Sequence, residues 1–498
     1  MFYYQLIASH PADRPALLDQ DRVITYGELR EQVDRWAAFL QEAGLKKGER
    51  VGLFSRKCAE YVAAYMAVIR AGGVIVPINF QLVPREVAYM IKDAEIHLFL
   101  TQAKLELDGP LAELGCAPVR QLTFGELDAP VSGSLQEVPR TEDDNCTIIY
   151  TSGTTGRPKG AMLSHKNLVA NAWDFQDAIH ARPEDVILCL LPMYHCYAWS
   201  VCVSLSLLLG AQLVIQANYN FKTAIRLVQR HGVTLFTGVP AVMELLLEGA
   251  EPSELSTVRE FICGGASLGK VLGQKFADKF GHPVLEGYGL SEAAPVVSVN
   301  RPGNVKFGSI GLPLVEEEVR ILNPQGREVP QGEAGEVVVR GPNVMLGYLN
   351  RLEATKETLA GGWLHTGDVG YADEDGFIFL VDRLKDMIIS SGENVYPREV
   401  EEAITQYPGI REASVVGVAD RLRGQAITAF LVLQEGAQCN PKELRRYLLG
   451  RIAPYKVPRE YFIIQELPKT SLGKVRKNIL RQQAEEILQQ RRMSGRSL

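Results

Sequence analysis

Two hydrophobic rhythms alternate along the first half of the chain. One is a three-to-four-residue spacing that turns one helix face inward; the other is a short apolar run that suits a buried strand. Thr25-Tyr-Gly-Glu28 has the spacing of a capping box, in which the Thr hydroxyl and the Glu carboxylate bond backbone N–H groups at a helix start. A helix is therefore predicted from Tyr26 towards Leu40. Turn and strand follow at Gly48–Phe54, helix at Glu60–Ala71 and strand at Gly73–Pro77. This alternation predicts an α/β fold of layered sheets and helices. The stretch Asp128–Asp144 is polar and turn-rich, and reads as a surface connection.

From Ile310 to Tyr348 the pattern changes to short β runs, such as Glu318–Leu322 and Gly335–Arg340, separated by Gly and Pro. This predicts a β-rich subdomain. Another strand is expected at Phe377–Val381. Beyond Asp382-Arg-Leu-Lys-Asp386 an α+β pattern restarts, with strands at Met387–Ile389, Glu412–Val418 and Ala426–Leu433 and helices from Pro397 and over Pro441–Leu449. The expected division is a large N-terminal domain, residues 1–383, and a small α+β C-terminal domain, residues 384–498, with the boundary at Asp382–Lys385. The run Trp199–Ile215 approaches membrane-spanning length, but Gly210-Ala211 interrupts it and Ser204, Ser206 and Gln212 lie within it. A buried helix that turns into a buried strand is expected there, and no integral membrane segment.

Composition narrows the function classes. The chain has 498 residues, which calls for more than one domain. Its 53 basic and 59 acidic side chains leave no positive footprint for nucleic acid. The eight cysteines form no Cys-x-x-Cys pair, so free thiols in a reducing cytoplasm are expected rather than a zinc or redox site. The start, Met1-Phe-Tyr-Tyr-Gln, lacks the basic region of a signal peptide.

The chemistry concentrates in Tyr150-Thr-Ser-Gly-Thr-Thr-Gly-Arg-Pro-Lys-Gly-Ala161, which follows a strand-like run. Its glycines allow close backbone approach to an anion, its hydroxyls and N–H groups suit phosphate oxygens, and Lys159 adds positive charge. It is not a Walker loop, because Gly160 follows the lysine. The string resembles the phosphate loop of the adenylate-forming superfamily. Tyr288-Gly-Leu-Ser-Glu292, Gly362-Trp-Leu-His-Thr-Gly-Asp368, Asp382-Arg-Leu-Lys-Asp386 and Pro468-Lys-Thr-Ser-Leu-Gly-Lys474 resemble that family's other motifs, in the same order. The resemblance covers nearly the whole chain and points to the acyl-CoA synthetase branch. It implies an acid–CoA ligase that uses ATP, Mg²⁺ and coenzyme A, forming an acyl-adenylate and then a thioester.

The resemblance also implies roles. Thr151, Ser152, Gly153, Thr154, Thr155, Gly156 and Lys159 would hold the phosphates. Gly264, Gly265, Ala266, Gly287, Tyr288 and Gly289 would form the adenine slot. Ser291 stands where the family has Thr and keeps the hydroxyl. Glu292, with Thr151, would bind Mg²⁺. Asp368 and Arg383 would hold the ribose. Lys474 would be the adenylation lysine, its charge stabilising the attack of one anion on another. In the family the C-terminal domain rotates between the half-reactions about a hinge, at the position of Lys385, and Gly392 would flank the pantetheine arm. His195 matches the residue beside the acyl carboxylate, with Tyr197, Trp199, Gly238 and Val239 on the acyl side. His195-Cys-Tyr-Ala-Trp199 resembles the long-chain synthetases, in which a Trp at this spacing gates the fatty acid tunnel. A medium- to long-chain fatty acid is thus the expected substrate, with an aryl acid as alternative. A carrier protein is the alternative acceptor, and a homodimer is common among such enzymes.

Overall fold

A computed structural model describes residues 1–498 except 152–157, 385, 391–392, 421–423, 471–472 and 494–498. The chain packs as two compact units. The larger comprises Met1–Val319 and Val338–His365, and the smaller Arg320–Val337 and Thr366–Leu498.

Two sheets organise the larger unit. The first has nine strands in the order Leu312–Pro313, Val296–Val299, Val284–Gly289, Glu260–Cys263, Leu235–Gly238, Val186–Cys189, Gln212–Ile215, Pro15–Asp19 and Arg22–Thr25. Its central strands run parallel, which requires crossover helices that cover the faces. The second has seven strands in the order Gly347–Tyr348, Lys159–Ser164, Asn145–Thr151, Val74–Ile78, Arg50–Phe54, Leu98–Thr101 and Arg120–Thr123. The helix Tyr26–Glu42 starts at the expected capping box: Thr25 accepts from the Glu28 N–H, and Glu28 accepts from the Thr25 N–H at 2.8 Å. Such a cap contributes about 1 kcal/mol.

The apolar run from Trp199 is a helix and then a strand, as its pattern predicts. Residues Trp199–Ser204 form a π-helical turn, Leu205–Leu209 continue as α-helix, and Gly210 ends it in the left-handed region at φ 70°. The strand Gln212–Ile215 follows, buried in the nine-stranded sheet. Among the described residues, no helix is long and apolar enough to cross a membrane.

In the smaller unit the long strands Ile410–Asp420 and Gly424–Leu433 pair antiparallel. Alternate residues feed two cores. Val415, Ile427, Ala429 and Leu431 pack with the helices Pro397–Thr405 and Pro441–Leu449. Val416, Val418, Phe430 and Val432 pack with Leu480 and Ala484 of the helix Lys477–Met493.

The units divide earlier in sequence than residues 383/384. The strands Leu364–Ala372 and Ile378–Arg383 form a hairpin that packs with the smaller unit. Thr366 Oγ1 donates to the Val337 carbonyl at 2.6 Å, and the Gly367 N–H donates to Glu336 Oε1 at 3.1 Å. These bonds draw residues 320–337 into the same unit, although about thirty residues of chain separate the partners.

Candidate active site

Two neighbouring parallel strands of the larger unit, Leu235–Gly238 and Glu260–Cys263, end level with each other, beside a third, Val284–Gly289, that runs on beyond them. Gly238 pairs with Cys263, and Cys263 with Glu286, so Gly264 and Gly287 come side by side one position past Gly238 at the carboxyl ends. In open α/β sheets that edge is where ligands bind. A Cβ on Gly264 would stand 3.2 Å from the Tyr197 ring and 3.4 Å from the Gly287 carbonyl, so the shallow slot there exists because the residue is glycine. The Tyr197 hydroxyl closes the floor, donating to the Gly238 carbonyl at 3.0 Å. Val239 begins the helix Pro240–Gly249, and a Cβ on Gly265 would lie 3.7 Å from it. Tyr288, half-buried, continues the strand past Gly287 and pairs with Ser298. Glu286 is buried, with Oε1 accepting from the Leu268 N–H at 2.9 Å; this fixes the loop containing Ala266.

His195 caps the short helix that follows the strand Val186–Cys189, and its Nδ1 accepts from the Tyr197 N–H at 3.2 Å. The next residue touches the turn of Ser291 and Glu292: Cys196 Sγ and Ser291 Oγ are 3.2 Å apart. Burial pushes the Cys196 thiol up to about 11, which keeps it a neutral neighbour of that hydroxyl. The His195–Cys196 segment and the Ser291–Glu292 turn are thus joined side chain to side chain.

Glu292 Oε1 accepts from the Tyr348 hydroxyl at 2.8 Å, and the Lys159 ammonium lies 5.0 Å from the centroid of that Tyr348 ring. Lys159 and Thr151 are cross-strand partners at the stem of the phosphate loop, and Thr151 Oγ1 lies 3.5 Å from the Lys159 carbonyl. Ser152, Gly153, Thr154, Thr155 and Gly156 lie outside the described residues, as do Lys385 and Gly392. The Glu292 carboxylate suits a hard cation, and the Lys159 ammonium at the loop stem suits phosphate oxygens. Glu292 would hold Mg²⁺, which supplies neutralisation of the phosphate charge.

Trp199 is placed differently from the slot residues. It is buried, stacked on Tyr65 with centroids 3.7 Å apart and tilted against Tyr61 at 6.0 Å. It opens the π-helical turn, a feature that often marks functional segments.

The remaining sequence-selected residues lie in the smaller unit. Asp368 and Arg383 are cross-strand partners in the hairpin, and Arg383 Nε is 2.8 Å from Asp368 Oδ1. Asp368 is 4% exposed, so the arginine partner matters: a carboxylate that deep is costly without a cation. Lys474 is exposed; its carbonyl accepts from the Thr470 N–H at 2.8 Å and its N–H donates to Thr470 Oγ1 at 3.2 Å. Sequence reasoning missed Tyr348, whose only signal was its place in a Gly-Tyr pair ending the β-rich stretch.

The arrangement defines a class, nucleotide-dependent activation of an acid, and comparison with known proteins specifies it. The description "AMP-binding enzyme" matches residues 4–349 and its C-terminal domain matches residues 399–474. A feruloyl-CoA synthase from an Amycolatopsis species is 38% identical, covering 92% of this chain and 93% of that protein. A long-chain-fatty-acid–CoA ligase of Bacillus subtilis strain 168 is 34% identical, covering 95% and 92%. The ATP-bound structure of MatB from Rhodopseudomonas palustris superposes with a TM-score of 0.92 at 31% identity, covering 98% of this chain and all of that one. The chain belongs to the AMP-binding enzyme family, in its acyl-CoA synthetase branch, and is an ATP-dependent acid–CoA ligase using ATP, Mg²⁺ and CoA.

Proposed function

We propose that the acid is a medium- to long-chain fatty acid, bound behind His195 and activated at the slot formed by Gly238, Gly264 and Gly287. The contact between Cys196 and Ser291 carries this reading of the site, because it sets the acyl-side loop directly against the turn of Glu292. The spacing of Trp199 after His195 and its position at the π-helical turn support a movable aromatic at the acyl end. His195 orients the acyl carboxylate, and Lys159 and Glu292 act on the phosphate side. Asp368 with Arg383 holds the ribose, and Lys474 supplies the cation for adenylation, with the unit that carries it pivoting near Lys385. CoA is the acceptor.

An aryl acid is the second reading, supported by the 38% identity to a feruloyl-CoA synthase. The packing of Trp199 face to face against Tyr65 suits a short, closed acyl site as well as a gate. The test is pyrophosphate release from ATP and Mg²⁺ over a panel of straight-chain acids, benzoates, cinnamates, dicarboxylates and amino acids, with and without CoA. A CoA-dependent maximum among straight-chain acids is expected. A maximum among cinnamates or benzoates overturns the fatty-acid reading, and release indifferent to CoA points to a carrier-protein acceptor.

A further inference from the structure

We propose that Tyr348 is a positioning residue for adenylation, holding the Glu292 carboxylate and the Lys159 ammonium apart and in fixed relation so that Mg²⁺ and phosphate meet a preorganised pair. The inference rests on the roles proposed above for Glu292 and Lys159.

Tyr348 is locked by its backbone before its side chain acts. The strand Gly347–Tyr348 pairs antiparallel with Lys159–Ser164, with Tyr348 opposite Ala161 and Gly347 opposite Met162. The Leu349 N–H donates to the Gly160 carbonyl at 2.8 Å, and the Tyr348 N–H donates to Thr355 Oγ1 at 2.9 Å. The phenol therefore stands at a fixed register beside the stem of the phosphate loop. Its hydroxyl donates to Glu292 Oε1 at 2.8 Å, while three residues earlier the Met345 N–H donates to the Glu292 carbonyl at 2.9 Å. One short segment thus grips Glu292 by both main chain and carboxylate.

The ring performs a second task. An ammonium and a carboxylate this close to one residue would, without it, be drawn into a direct ion pair, leaving neither to act on a ligand. Lys159 instead faces the π-cloud, 5.0 Å from the centroid, and Glu292 is bound at the hydroxyl end. Cation–π attraction holds the first, and a charge-assisted hydrogen bond holds the second. With Oε1 held by the tyrosine, the orientation of the carboxylate that would hold Mg²⁺ is fixed.

The test measures metal and nucleotide affinity separately from turnover. Mn²⁺ binding is followed by electron paramagnetic resonance, in the presence of an ATP analogue with a methylene bridge between the α- and β-phosphates. Tyr348→Phe keeps the ring and loses the bond to Glu292. It should weaken Mn²⁺ binding roughly tenfold, and leave binding of the metal-free nucleotide unchanged. Tyr348→Leu also loses the ring and should weaken the nucleotide as well, and Tyr348→His, which keeps a ring and a donor, should recover part of the metal affinity. In a Glu292→Gln background, Tyr348→Phe should add little further loss. Unchanged Mn²⁺ affinity in Tyr348→Phe, where Glu292→Gln abolishes it, overturns the inference alone. Unchanged affinity in Glu292→Gln itself overturns the assignment of Glu292 as metal ligand.

Discussion

Lowering the pH from 7.5 to 5 should destabilise the larger unit by about 2 kcal/mol through one imidazole. His165 is 3% exposed, and its Nδ1 accepts from the Tyr3 N–H at 3.2 Å, an arrangement that only the neutral ring can make. Burial, then the charge of Arg140, pushes it down from the ordinary 6.5 to about 4, with Asp144 opposing. The unfolded chain therefore binds a proton below about 6.5 that the folded chain refuses until about 4. The sign follows: stability is complete above 6.5 and is lost as the pH falls through the interval. The interval of 6.5 to about 4 corresponds to about 3.4 kcal/mol in full, of which about 2 is reached at pH 5. The assay is urea unfolding of the wild type and of His165→Asn, which offers an acceptor but does not titrate. Other groups that titrate over the range, such as Asp174, raised to about 6 by burial and Glu316, cancel between the two proteins. Stability curves that stay parallel between pH 7.5 and 5 would refute the reasoning.

Three further outcomes are expected. Lys474→Ala should slow acyl-adenylate formation by at least about a hundredfold while sparing thioester formation from supplied acyl-adenylate, and equal loss of both half-reactions would sink the assignment. Glu317 is buried and held well above the usual carboxylate range by burial, then by the Asp174 charge, so it folds protonated. Its contribution falls as pH rises above about 4.5, by about 1.4 kcal/mol per unit until the folded group ionises. Glu317→Gln should therefore raise the melting temperature at pH 8 but not at pH 4.5, and a shift that is the same at both would argue against a protonated Glu317. Gly311 has φ 84°, and a Cβ there would lie 2.0 Å from the Val299 carbonyl carbon and 2.1 Å from the Asn300 nitrogen. Gly311→Ala should cost at least about 4 kcal/mol and appear as lost soluble yield, whereas normal yield and melting would contradict that packing.

Much of the fold was legible because local patterns decide local structure. The capping box at Thr25, the helix Pro441–Leu449 and the break at Gly210 each depend on residues within a few positions of one another. The π-helical turn at Trp199–Ser204 was not legible, since its apolar spacing is also that of an ordinary buried helix. Nor was the packing of residues 320–337 with the smaller unit. Their partners are strand neighbours brought in by the Leu364–Ala372 hairpin, and a linear pattern carries no information about which edges pair.

The site divides along the same line. The residues proposed to act on ATP stand in short motifs, because a phosphate loop or a carboxylate beside a turn needs several groups on consecutive positions, and such strings survive inspection one at a time. Residues that hold those groups in place are chosen by geometry instead. Tyr348 meets Glu292 across 56 positions of sequence, and Asn343 Nδ2 donates to the Ala293 carbonyl, at 2.9 Å, across 50. Asn171 Nδ2 donates at 2.6 Å to the Val296 carbonyl, on the far side of the same turn. Three side chains from three elements therefore bracket the segment Glu292–Val296, two of them through main-chain carbonyls that any residue could present. A carbonyl acceptor leaves no mark in the sequence, so the turn's support cannot be read from the turn. The rigidity of the candidate metal site accordingly resides in residues remote from it in sequence, and substitutions at Asn171 or Asn343 should act on metal affinity through the turn rather than on the acyl side.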